Sequence, residues 1–213
     1  MSEAMKTIQE ACGVTADGAF GPNTARAMMK HYKWTAVRAA HILGQASHES
    51  AGFTATKENL NYSTSAILRC WPSRFKTEAE AAPYSHNPKA LAESVYYDRM
   101  GNDTKQKAST YIGRGFIQLT GYSNYSAFAT NMRHPEIIED PSMLENSLAM
   151  ESAIFFFNHN NLWSICDKGV TDEAIKTLTK RINGGYNGLD DRKAQTKRNT
   201  KDQRQKKDLY CVP

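Results

Sequence analysis

The chain has 213 residues, 40% of them hydrophobic and 23% charged, enough for one domain with a small appendage and a core that needs no disulfides. No stretch approaches the ~18 apolar residues that cross a bilayer, the longest apolar cluster being Ala153 to Phe157. The formal charge of +5 sits entirely beyond Arg192, where Lys193, Lys197, Arg198, Lys201, Arg204, Lys206 and Lys207 face only Asp202 and Asp208.

Residues 4–11 predict a short helix. Asp17-Gly18 signals a turn, and Asn23 is a candidate N-cap for a helix running to about Tyr32. Thr35 can cap the next helix. Its Ala36, Ala39, Ala40, Leu43 and Ala46 share one small-residue face that lets another helix come close, and Gly52 marks its stop. A helix over 64–70 ends at Trp71-Pro72, another runs from Pro88 to Arg99, and 103–110 reads as a polar loop. Residues 111–120 alternate only in part and contain two glycines, which predicts an irregular strand or hairpin. Helices follow over 122–131, 143–158 and 172–182, then a loop from Asn183 to Gly188 and a last helix from about Asp190 to Lys207. The expected fold class is mainly α with one small β element.

Cys12, Cys70, Cys166 and Cys211 form no Cys-x-x-Cys pair, which argues against a zinc ribbon or redox dithiol. Their scatter fits buried thiols in a reducing compartment, with Cys70 beside Trp71 expected in the core. Met1 to Lys6 lacks the apolar run of a secretory signal, so synthesis in a cytoplasm is expected. The basic tail reads equally as a solvated helix or as a patch drawn to an anionic polymer. No aromatic residue interleaves its cations before Tyr210, so nucleic acid is not an expected partner.

The chemistry-bearing stretch is Ser47-His48-Glu49-Ser50-Ala51-Gly52-Phe53, followed by Lys57-Glu58-Asn59-Leu60-Asn61-Tyr62. An isolated Glu at a helix end is usually a solvated side chain. Here the preceding helix is apolar and Ala-rich, and its negative dipole end and partial burial disfavour a carboxylate at Glu49, as a general acid requires. Glu58 alone is a loop carboxylate paired with Lys57; as a partner to Glu49 it is an ionised base, with Lys57 and nearby Asn side chains keeping it charged. Two carboxylates in unlike surroundings are the minimum for glycosidic cleavage. His48-Glu49 is not a zinc-protease motif, because Gly52 stands where the second His belongs, and no metal or cofactor is implied. Gly113-Arg114-Gly115 lacks the Walker pattern, and no Gly-x-Ser-x-Gly is present. Cys70 with His86 has no supporting peptidase signature.

Taken together, Ser47 to Phe53, Glu58 to Ser63, Trp71-Pro72-Ser73-Arg74-Phe75, Val95-Tyr96 with Arg99 to Asn102, Tyr111 to Tyr125 and Ile182 to Arg192 resemble the family-19 glycoside hydrolases, in particular their phage-endolysin branch. The resemblance covers about Thr35 to Arg192 and implies a two-lobed, lysozyme-like fold with a substrate groove. It also implies inversion, with Glu49 as general acid, Glu58 as general base and Thr120 holding the water. By the same resemblance Gln118, Asn124, Asn183 and Arg192 bind sugar hydroxyls and N-acetyl groups, and Tyr111 and Arg114 are cleft or support residues. Ala51, Ile112 and Phe116 depart from common family residues. Residues 1–33, through Met5 to Glu10 and Asp17 to Thr24, resemble a truncated peptidoglycan-binding helical module. Residues 34–213 form the expected catalytic domain, with an inserted small lobe over about 64–110 and the basic C-terminal helix. The implied activity is hydrolysis of the β-1,4 bonds of peptidoglycan by a monomeric endolysin let out through a holin-type pore to the periplasm and wall, with a neutral-chitin hydrolase or a non-catalytic wall binder as alternatives.

Overall fold

A computed structural model describes residues 2–204, with side chains to Lys201. In chain order its helices are α1 (Glu3–Ala11), α2 (Pro22–His31), α3 (Ala36–Glu49), α4 (Thr64–Cys70), α5 (Glu78–Ala81), α6 (Pro88–Tyr96), α7 (Lys105–Thr110), α8 (Tyr122–Met132), α9 (Glu136–Glu139), α10 (Ala149–His159), α11 (Trp163–Cys166), α12 (Asp172–Asn183) and α13 (Leu189–Arg204), with 3-10 turns at Ala82–Tyr84 and Pro141–Glu145. Among the described residues β structure is limited to two isolated bridges, Lys57 with Arg114 and Arg114 with Leu119. The mainly α expectation holds, and the strand or hairpin expected over 111–120 shrinks to one closed turn. The end of the basic tail, including Lys206, Lys207, Tyr210 and Cys211, lies outside the described residues.

The chain divides into two compact units, one of Met1–Thr56, Gly115–Ile117 and Met143–Pro213, the other of Lys57–Arg114 and Gln118–Ser142. Residues 1–33 lie in the first unit with α3, and the second unit contains 64–110 together with Lys57–Ser63, Tyr111–Arg114 and Gln118–Ser142.

The first unit is organised by α3, in which every residue from Ala39 to Ser47 is buried. Thr35 caps it as expected, its Oγ1 accepting the Arg38 N–H at 3.2 Å. Met5 and Ile8 of α1 and Ala25 and Met28 of α2 join Ile42 and Leu43 in one core. The buried Gln9 staples the turn ahead of α2: its Nε2 donates to Asp17 Oδ1, Ala19 O and Thr24 Oγ1, and its Oε1 accepts the Gly18 N–H. Asn23 is not the cap of α2. Gly21 occupies that position with Pro22 at the first turn, and Asn23 instead accepts from Arg26 within the helix. The small-residue face of α3 receives α13 so closely that a Cβ on Gly44 would lie 2.2 Å from Thr196 Oγ1 and 2.9 Å from Thr196 Cα.

The second unit gathers Leu60, Ile67, Phe75, Leu91, Val95 and Ile112 in its own core. Residues 105–110, expected within a loop, form α7. The Thr104 hydroxyl accepts the Lys107 N–H, Lys107 pairs with Asp103 at 2.9 Å, and Ala108 turns inward against α6. A polar stretch this short carries no visible period, so its cap and packing decide. Cys70 is exposed, not in the core: Ile67 and the half-buried Trp71, edge-on to Tyr62, take the inward positions. Cys12 is half-buried and Cys166 buried, and all three thiols are free.

Gly44→Ala should destabilise the protein by about 1–3 kcal/mol or more, because Thr196 backbone atoms cannot yield as a flexible side chain would; a lowered Tm with α3 and α13 loosened in hydrogen exchange is the expected readout. A second test concerns Glu151 on α10. Burial raises its carboxyl above the ordinary range, Tyr32 donates to its Oε1 at 2.9 Å, and its Oε2 has no partner. A raised carboxyl stabilises the fold in its protonated form, so that contribution is present at low pH and lost as pH climbs through the folded value. Glu151→Gln should therefore flatten the fall of Tm as pH rises above the ordinary carboxylate range.

Candidate active site

Glu49 is the last residue of α3, and the chain turns sharply after it. Ser50 Oγ donates to Ala46 O and accepts the Phe53 N–H, and Gly52, at φ +72°, donates to Ser47 O. Phe53 is driven into the core beside Phe20 and Phe116, with ring centroids at 4.3 and 5.0 Å. The anchored turn leaves the Glu49 side chain 17% exposed, facing Arg192.

Arg192, in the first turn of α13, is fully buried. Its Nη2 donates to Glu49 Oε1 at 2.6 Å, its Nη1 to Gln45 Oε1 at 2.7 Å and its Nε to Asn187 O at 3.0 Å. Glu49 Oε2 has no hydrogen-bond partner among the described residues. Gln45 is held in turn, its Nε2 donating to Thr179 Oγ1. His48 pairs with Asp191, not with Glu49. Its Nδ1 lies 2.6 Å from Asp191 Oδ2 and holds that carboxyl below the usual range. Gly188 fits against the same ring, where a Cβ would come within 2.0 Å.

Glu58 lies in the second unit, just past the Lys57–Arg114 bridge. Tyr96 donates its hydroxyl to Oε2 at 2.7 Å, and the Gly113 N–H donates to Oε1 at 2.5 Å. Burial, reinforced by the Glu58 charge, pushes the Tyr96 phenol far above its ordinary value, so it stays a donor. The expected asparagine support is absent. Asn59 accepts the Asn61 N–H, and Asn61 faces His86. A cavity of about 340 Å³ opens beside Glu58, lined also by Lys57, Asn59, Lys89 and Ser109.

Glu58, Gln118 and Thr120 converge on Gly113. A Cβ there would lie 3.1 Å from Gln118 Oε1, 3.2 Å from Thr120 Oγ1 and 3.3 Å from Glu58 Oε1. Arg114 and Leu119 exchange both backbone hydrogen bonds, at 3.1 and 2.8 Å, closing the turn that presents Gln118 and Thr120. Gln118 adopts φ +55°, a left-handed conformation that costs a non-glycine residue on the order of 1–3 kcal/mol. Thr120 Oγ1 donates to Gln118 O at 2.9 Å, and Asn124 Nδ2 to Thr120 O at 2.7 Å.

The other residues singled out from the sequence are placed as follows. Tyr111 is buried and donates to Ile138 O. Arg114 is buried, with Nη1 on Thr110 O and within reach of the Tyr125 hydroxyl. Both occupy support positions. Asn183 is exposed at the end of α12, followed by Gly184 at φ +79°. Arg192, expected on sugar, donates to Glu49, Gln45 and the Asn187 carbonyl. Three groups were missed: Gln45, Tyr96 and the Gly113 N–H. Gln45 was within reach of sequence reasoning, since it stands four residues before Glu49 on the same helix face; nothing local announces the reach of Tyr96. Among the described residues no three His, Cys, Asp or Glu side chains gather as a metal site.

The frame is mainly helical; on it Glu49 meets a buried guanidinium, and Glu58 accepts from a phenol and a peptide N–H. A glycosyl hydrolase family 19 domain-containing protein of Haemophilus influenzae is 33% identical over 156 residues, covering 72% of this chain and 74% of its own. The chain therefore belongs to glycosyl hydrolase family 19, and its substrate is a polysaccharide. An endochitinase of Arabidopsis thaliana is 34% identical over 82 residues, 38% of this chain and 27% of the plant protein. No family model matches the chain.

Arg192→Met should cost about 3–5 kcal/mol, the penalty for breaking a buried ion pair, since it strands Gln45 and Glu49 together; urea unfolding measures it.

Proposed function

We propose that this hydrolase is an endolysin-type enzyme that cuts the β-1,4 bonds of peptidoglycan by single displacement, with Glu49 as acid, Glu58 as base and Thr120 holding the attacking water. The observation that carries the reading is the contrast between the two carboxylates. Glu49 has one oxygen held by Arg192 and the other unengaged. Both oxygens of Glu58 accept from donors, the arrangement of an ionised carboxylate. Glu49 Oε2 protonates the leaving glycosidic oxygen while Glu58 takes a proton from water attacking the anomeric carbon from the opposite face. This chemistry requires the carboxyl groups to stand ~6.5–9.5 Å apart. Gln118, Asn124 and Asn183 are the proposed sugar-binding groups.

The likeness of residues 1–33 to a wall-binding module and the cationic stretch from Lys193 favour an anionic envelope polymer over neutral chitin. Release through a holin-type pore, host lysis and a monomeric state complete the proposal. The second reading is a chitinase, which the likeness to the plant endochitinase favours.

Glu49→Gln should lower turnover of purified cell walls by at least ~10²–10⁴ while leaving wall binding intact. Mass spectrometry of the wild-type digest should show new reducing ends, and NMR of the first product should show the α-anomer. Freed stem peptides would make the enzyme an amidase or peptidase, and an initial β-anomer would replace inversion with retention.

A further inference from the structure

We infer that Tyr186, with Lys176 and Lys180, forms a binding subsite for carboxylate-bearing glycan on the acid side of the site; the inference rests on the peptidoglycan reading above and names the groups that would select that substrate over neutral chitin. Tyr186 is one of the few large hydrophobic side chains left exposed, at 48%. It lies in the connection between α12 and α13, and that connection is not loose. Gly184 N–H donates to Lys180 O, Tyr186 O accepts the Leu189 N–H, Asn187 O accepts from Arg192, and Gly188 abuts His48. The exposed ring therefore stands one residue from a carbonyl that shares a guanidinium with Glu49.

Lys176 and Lys180 rise from one face of α12, four residues apart, with ammonium groups 5.4 and 6.0 Å from the Tyr186 ring centroid. Both lysines are exposed, and neither has an ion-pair partner among the described residues. By contrast Lys193 and Lys197 of α13 are both spent on Asp172. A pinned aromatic ring offers apolar area to the C–H side of a pyranose, and the two unneutralised ammonium groups over it favour a saccharide with carboxylates on its lactyl and peptide substituents. A neutral N-acetylglucosamine polymer can use the ring but gains nothing from the charges.

The test uses the full chain carrying Glu49→Gln, so that binding is read without turnover, sedimented with insoluble peptidoglycan and with insoluble chitin. Adding Lys176→Gln and Lys180→Gln should weaken peptidoglycan binding roughly two- to tenfold relative to chitin, and the difference should shrink as salt rises past about 0.15 M. Tyr186→Ala should weaken binding to both polymers by roughly fivefold or more, and Tyr186→Phe should restore it, with Tm unchanged throughout. Equal effects of the lysine changes on both polymers, or full binding by Tyr186→Ala, would overturn the inference. Because the readout is binding, a failure of the acid assignment, seen as surviving turnover in Glu49→Gln alone, stays separate. Preferential binding of the parent protein to chitin would instead overturn the peptidoglycan reading itself.

Discussion

The Arg192 guanidinium is the interaction on which the first unit depends. Among the described side chains of α13 the buried ones are Arg192, Thr196 and Asn199, all polar. This helix is not held against α3 by hydrophobic area. It is held by close backbone approach across Gly44 and by the donors of Arg192 on Gln45, Glu49 and Asn187. The arrangement is incomplete, since Thr196 Oγ1 and Asn199 Nδ2 are buried without partners, each at a cost of about 1–3 kcal/mol. A seam already carrying such losses cannot also lose its one buried cation. The residue that stabilises the helix pair is thus the residue that holds Glu49, and the two roles cannot be separated by substitution at that position.

The base side is built on a different principle. Glu58 is placed by main chain: its own N–H donates to Gly113 O, and the Gly113 N–H returns to its carboxylate. Gln118 and Thr120 are presented by a turn that two backbone hydrogen bonds close, at the expense of a left-handed Gln118. Strain retained at such a spot suits a group whose direction matters more than its stability. The Tyr96 hydroxyl supplies the side-chain donor to Glu58, and its burial keeps it protonated.

What the sequence made legible follows from which forces are local. The span of α3, its Thr35 cap, its small-residue face and the stop after Glu49 are all encoded within a few residues, and all were readable. So was Glu49 as a partly shielded carboxyl. The helix α7 was not, because its six residues show no apolar period and only Thr104 and the neighbouring α6 make it helical. The partners of the two carboxylates were mostly illegible for a related reason. Arg192 stands 143 positions from Glu49 and Tyr96 stands 38 from Glu58, and neither pairing leaves a spacing signal. Motif likeness could single out Arg192 but could not say that it faces Glu49.

That orientation matters for the chemistry proposed. Arg192 donates to Oε1, so a proton on Oε2 leaves the contact intact: a neutral carboxyl still accepts at its carbonyl oxygen. As the proton passes to the leaving oxygen, negative charge grows on Glu49 and the contact becomes charge-assisted, the stronger kind of hydrogen bond. Arg192 then stabilises the developing carboxylate more than it stabilises the protonated acid, and only such a difference accelerates the step. Its burial and its two further acceptors fix the guanidinium before reaction begins, so no reorganisation is needed when the charge appears. A lysine could supply the charge but not three fixed donor directions, which is why the proposed acid is set by the packing of α13 as much as by the turn that ends α3.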